Sequence, residues 1–174
     1  MVTIREELPQ DFAQRESLLD RAFGKTRRRK TSERLRERRV PAEGLAFSAV
    51  DGQGKLIGTI RLWDVIAGSA GPTLLLGPLA VDCRQQKCGL GGALMGHALA
   101  EARARGYDAV LLVGDPSYHG RFGFSRTMTA ALHLPGPVER HRFLGFELQP
   151  GALDGAEGPV IASGRAIVPA AQAA

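Results

Sequence analysis

A chain of 174 residues with 44% hydrophobic content is long and apolar enough to bury one core, which excludes a disordered polymer. Its net charge of +5 sits in one segment: residues 25–39, "KTRRRKTSERLRERR", hold nine Lys or Arg against two Glu, so the remainder is acidic by two. Two cysteines, Cys83 and Cys88, are too few for a disulfide scaffold, and no other Cys or His spacing completes a metal site.

In chain order, "VTIREEL" (residues 2–8) alternates like an edge strand, and Pro9 and Asp11 lead into a helix over residues 11–23. Phe12, Leu18, Leu19, Ala22 and Phe23 form its apolar stripe. Ser32 starts a second short helix, anchored by Leu35 and ended before Pro41. Residues 45–65 read as two strands joined at Asp51 to Gly54, where Gly52 and Gly54 permit positive φ. "TLLLGPLAV" (73–81) is a buried strand that Gly77 and Pro78 interrupt with a bulge or an edge. A helix over 89–105 follows, with Leu90, Leu94, Ala98 and Leu99 on one face, and then a strand over 108–114. The two strands and that helix form a βαβ unit with parallel strands. Asp115 caps a short helix with Pro116 at its first position, which ends at Gly123. Residues 126–134, 142–149 and 158–168 read as strands. One domain over 1–168 is expected, with a frayed tail at 169–174.

No apolar run nears the ~18 residues of a membrane span, and residues 1–30 carry no signal-type apolar region. A soluble, cytoplasmic protein without a membrane partner is expected. The basic segment reads first as a solvated helical face, with attraction of an anionic small molecule next and nucleic-acid binding last.

The stretch "QQKCGLGGAL" (85–94) lies at the strand-to-helix junction of the βαβ unit. Unpaired N–H groups and the positive end of the helix dipole make such a junction an anion site, and glycines let a ligand approach the backbone. It reads either as a cradle for a phosphate-bearing cofactor or as a turn whose glycines permit tight packing. A Walker A loop is excluded because no Lys-Ser or Lys-Thr follows the glycines. A dinucleotide fingerprint is excluded because Leu94 stands where its third glycine belongs.

Gln86-Lys87-Cys88-Gly89-Leu90-Gly91 resembles the Q/R-x-x-G-x-G/A loop of the GCN5-related N-acetyltransferase family. "LGPLAVDCR" is similar to that family's bulged fourth strand, "GYDAVLLVG" to its fifth, and "YHGRFGF" to its aromatic, short helix and Gly-Phe ending. The resemblance covers about residues 2 to 150. It implies an α/β fold with a mixed, mostly antiparallel central sheet flanked by helices and a βαβ acyl-CoA-binding unit. It also implies acetyl-CoA as cofactor. The pyrophosphate would lie on backbone amides of Gln86, Lys87, Cys88, Gly89, Leu90 and Gly91, reaching Gly92, and the pantetheine arm along the backbone of Leu79, Ala80 and Val81. In the family an amine attacks the thioester directly, a strand-four N–H stabilises the oxyanion, and an acid protonates the departing thiolate.

Many relatives place that acid, a tyrosine, four residues before the glycine of Gly-Phe. Counting back from Gly123 reaches His119, with Tyr118 one position earlier. Both are candidate catalytic residues. Equally weighted is the reading in which Tyr118 packs or contacts the cofactor and His119 is exposed. An acid at His119 requires imidazolium, and so a decline in activity above neutral pH. Cys83 and Cys88 lack a local base and receive no role. His97, His133 and His141 read as packed or surface residues, Trp63 as core and Asp64 as solvated. The expected activity is transfer of acetyl from acetyl-CoA to the primary amine of a small molecule or peptide. The alternative is a catalytically silent CoA-binding sensor or interaction module, and a homodimer stays open.

Overall fold

The computed structural model describes residues 1–169, so the tail expected at 169–174 lies, but for Pro169, outside the described residues. The strands are β1 (Thr3–Glu6), β2 (Ala46–Val50), β3 (Leu56–Ala67), β4 (Pro72–Val81), β5 (Ala109–Val113), β6 (Ala131–His133), β7 (Phe143–Glu147) and β8 (Glu157–Ala162). The α-helices are α1 (Phe12–Phe23), α2 (Leu90–Ala104) and α3 (Pro116–His119). The sheet runs β1-β2-β3-β4-β5-β7, with β8 paired to β3 and β6 to β8. Only β4–β5 and β6–β8 are parallel, so the sheet is mixed and mostly antiparallel, as expected. β1 lies at the edge. No helix among the described residues is long and apolar enough to cross a membrane.

Side-chain alternation covers both faces of the sheet. Leu74, Leu76, Val110 and Leu112 face α2, where Leu94, Met95, Ala98 and Ala102 are buried against them. Leu75, Leu111, Phe143 and Trp63 face the other way, under Leu35, Leu132 and Leu153. At the far end of that second face, α1 buries Leu18 and Leu19 on Leu56 and Ala80.

Three local expectations are corrected. The helix expected from Ser32 is replaced by 3-10 turns at Lys25–Arg29 and Thr31–Leu35. A regular helix would stack like charges three and four residues apart. In the observed turns Arg27 instead bonds Glu16 at 2.5 Å and Asp20 at 2.9 Å, and Arg28 bonds Glu16 at 2.9 Å. The apolar stripe of α1 narrows to Leu18 and Leu19, since Phe12, Ala22 and Phe23 are exposed. Arg15 covers the Phe12 ring and Lys30 the Phe23 ring. The strand expected at 126–134 is a 3-10 turn followed by β6, because the Thr129 hydroxyl donates to the Phe143 carbonyl at 2.6 Å and holds the turn.

β4 positions the site. Its register on β3 slips: Ile60 faces Leu79 and Leu62 faces Leu76, so Gly77 and Pro78 both oppose Arg61. That extra residue is why Leu76 and Leu79, three apart, both lie on the α2 side. The buried indole of Trp63 donates to the Gly77 carbonyl at 2.6 Å and pins the bulge. Trp63→Phe keeps an aromatic ring but leaves that carbonyl without its donor. We expect a loss of about 1–3 kcal/mol in urea denaturation; an unchanged stability would mean that the bond does not hold the bulge.

Candidate active site

β4 and β5 are hydrogen-bonded only around Leu74–Val110 and Leu75–Leu111. Beyond these pairs they part, although β4 continues to Val81 and β5 to Val113. Cavities open on both sides of the parted segment and share Leu79.

The first cavity, of about 720 Å³, runs from Leu79 and Val81 to Gln86, Lys87, Gly89, Gly91 and Gly92, with Tyr118, Arg121 and Phe122 opposite. Gly89 caps α2 with φ of 75° and offers no side chain to bond the first-turn amides. Those amides have no carbonyl one turn earlier in the helix, so they are free for an anion. Space at this end comes from missing side chains. A Cβ at Gly91 would lie 2.7 Å from the Tyr118 hydroxyl, and one at Gly92 would touch the Phe122 ring at 3.7 Å. Arg121 covers the Tyr118 ring at 4.6 Å and adds positive charge to this wall.

Most residues expected around a cofactor are therefore gathered on one groove. Three are not on it by their side chains. Ala80 is buried under α1, Leu90 is buried in the α2 core, and Cys88 is exposed. For Ala80 and Leu90 only backbone groups can reach a ligand. Sequence reasoning passed over Arg121 and Phe122, although both stand inside the quoted "YHGRFGF".

The second cavity, of about 400 Å³, is walled by Gly77, Pro78, Leu79, Leu112, Val113 and His119 on the sheet side. The turns of the basic segment close it with Arg29, Lys30, Glu33 and Arg36, and Glu139 and Arg142 stand at the far side. The bent route of residues 25–39 thus brings its charges to the strand gap. Arg36 and Arg142 carry no local signature in the sequence, because the burial of the first and the place of the second on the cavity wall both depend on distant parts of the chain.

Tyr118 and His119 face different cavities. The His119 ring packs on Gly114, where a Cβ would meet Nε2 at 2.5 Å, and edge-on against Tyr118 with centroids 4.9 Å apart. Its Nδ1 is buried without a hydrogen-bond partner among the described residues. Burial holds the imidazole below its ordinary pKa; Asp115 opposes this, and Arg142 and Arg121 reinforce it. His119 is accordingly neutral at pH 7. Other candidates are structural: His97 stacks edge-on with Phe47 at 4.6 Å, and Asp64, expected in solvent, accepts from the Tyr107 hydroxyl at 2.6 Å.

The sheet order, the strand gap and the glycine-capped helix define an acyl-group transferase fold. A family model described as the Acetyltransferase (GNAT) family matches residues 12–124, and the chain belongs to that family. It is 32% identical over 158 residues to the uncharacterized N-acetyltransferase YhbS of Escherichia coli K12, covering 90% of this chain and 93% of that one. The crystal structure of Escherichia coli YhbS in complex with CoA superposes with a TM-score of 0.77 at 29% identity, covering 93% of this chain and 89% of that one. A GNAT family acetyltransferase from Brucella melitensis in complex with acetyl-CoA gives 0.68 at 26% identity, covering 94% and 96%.

Histidine NMR titration should place His119 below the free-histidine value of about 6.5. Its folded pKa lies below the unfolded one, so its share of stability is lost as pH falls from the unfolded value toward the folded one. A His119 pKa at or above the free value would contradict the burial described.

Proposed function

We propose that the protein transfers an acetyl group from acetyl-CoA to the primary amine of a small molecule by direct attack in a ternary complex. The observation that carries this reading is the parted β4–β5 pair lying between a glycine-lined groove and a separate cavity. One side suits the cofactor and the other the acceptor. Bound acetyl-CoA supplies the activated acyl group as a thioester.

The residues fit that cofactor. Free amides of Gly89 to Gly92 would hold its pyrophosphate, with Lys87 and Arg121 beside them. The β4 backbone at Leu79 to Val81, unpaired on its β5 side, would receive the pantetheine arm as a strand receives its neighbour. Leu79 is the first residue beyond Pro78 with an N–H to offer to a developing oxyanion.

Proton handling falls to His119. A neutral imidazole can accept the proton that the acceptor amine releases at Nε2 and return it to the departing sulfur, which leaves the enzyme in its starting protonation state. Tyr118, against Gly91, would form part of the cofactor wall.

Saturating acetyl-CoA, at one hundred times its dissociation constant, should raise the melting temperature by roughly 5 to 11 °C. Gly91→Asp should abolish that shift while retaining a cooperative transition, because it places bulk and negative charge among the α2 amides. An undiminished shift in the variant would move the cofactor elsewhere. His119→Ala should lower kcat about 10²-fold or more, with acetyl-CoA affinity nearly unchanged, while Tyr118→Phe should be mild. With a neutral relay, kcat should fall on the acid side as His119 protonates and hold above neutrality. A decline just above neutral pH would instead assign an imidazolium acid. Steady thiol release separates turnover from a silent CoA-binding module.

A further inference from the structure

Arg36 is a buried cation with no adequate partner. Its side chain is only 11% exposed, and the nearest carboxylate, Glu33, stands 3.7 Å away. Its Nε is shielded from solvent and has no hydrogen-bond partner among the described residues. The guanidinium faces the bulge: a Cβ at Gly77 would lie 3.5 Å from its Nη2. It therefore opens on the acceptor cavity beside the strand gap, which Lys30 and Arg142 also line.

The other charges sharpen this picture. Arg27 lines the same cavity but is spent on Glu16 and Asp20, and Glu139 lies against His141 at 3.5 Å. Burial together with the neighbouring cations lowers the pKa of Lys30, and that of Arg36 falls to about 10. Both effects belong to positive groups crowded out of water. A buried cation of this kind is stabilised by an anion that arrives with a ligand.

We propose that this cavity recognises an anionic group on the acceptor, so that the substrate is a small primary amine carrying a carboxylate or phosphate held by the Arg36 guanidinium. The inference rests on the acetyltransferase reading and names its substrate class. A cavity of about 400 Å³ accommodates such a metabolite. Arg36 offers the planar paired donors that both oxyanions accept. Lys30 and Arg142 extend the positive field, which disfavours polyamines.

The test compares acceptors of equal chain length in the CoA-release assay: ω-amino carboxylates, ω-aminoalkyl phosphates, uncharged alkylamines and diamines. Anionic acceptors should exceed their uncharged counterparts in kcat/KM by about ten- to a hundredfold, mainly through KM, as expected for a charge-assisted hydrogen bond. The better of the two anionic series identifies the oxyanion. Arg36→Met should erase the preference while keeping the acetyl-CoA melting shift. Arg142→Gln, at an exposed site, should weaken the preference and covers the case in which Arg36→Met does not fold.

Binding is read separately, by melting the CoA complex with inorganic phosphate or an ω-amino carboxylate against chloride at equal ionic strength. A shift in the wild type that the variants reduce supports the proposal. No anion-specific shift, or preference for uncharged amines or diamines, overturns it. Loss of the acetyl-CoA shift in the wild type would instead remove the underlying acetyltransferase reading.

Discussion

Separation of two neighbouring strands governs the site. β4 and β5 lie in the interior of a buried sheet, yet their pairing stops after Leu75 and Leu111. The extra residue at Gly77-Pro78 turns β4 away, Pro78 removes a donor, and the Trp63 indole holds the Gly77 carbonyl on the β3 side. Backbone groups beyond the last pair face a cleft and can be satisfied by a ligand. The groove with its helix amides and the cavity with its cations are the two sides of that opening.

Electrostatics then divide the opening. One end has the free amides of a glycine-capped helix with Lys87 and Arg121, and the other has Arg36 with Lys30 and Arg142. His119 lies between, kept neutral by burial and by the neighbouring arginines. A proton acceptor that is uncharged at rest suits a reaction whose nucleophile must shed a proton. Arg142, which reinforces the effect of burial on His119, also lines the cavity proposed to hold an anionic acceptor.

Much of the frame was legible in the sequence because it follows short-range rules. The Asp51 turn is built on bonds from Gln53 and Lys55 to its own carboxylate, and the βαβ unit follows from apolar runs around a 3.6-residue period. The glycine loop was legible as an anion cradle or a tight turn from its place at a strand-to-helix junction, and its resemblance to a known acyl-CoA loop favoured the first. What stayed hidden depends on distant partners. The turn at Lys25–Arg29 is held by Glu16 and Asp20 on α1 binding Arg27 and Arg28, and that at Thr31–Leu35 by Thr31 and Arg34 donating to the carbonyls of Pro137 and Pro135, pairings no local window contains. Trp63 reads as a core aromatic, and only the register of β4 reveals what its N–H holds. Arg36 looked like one more solvated cation among nine. For His119, the position was countable from Gly123, but the charge state depends on burial and on Arg142.

The most direct test is a crystal structure of the protein with CoA and a non-reactive acceptor analogue. The account predicts the pyrophosphate on the amides of residues 89–92, the pantetheine arm along Leu79 to Val81, and the thiol at the β4–β5 gap within reach of His119 Nε2. A cofactor bound outside this groove, or a thiol on the far side of the sheet from His119, would contradict it.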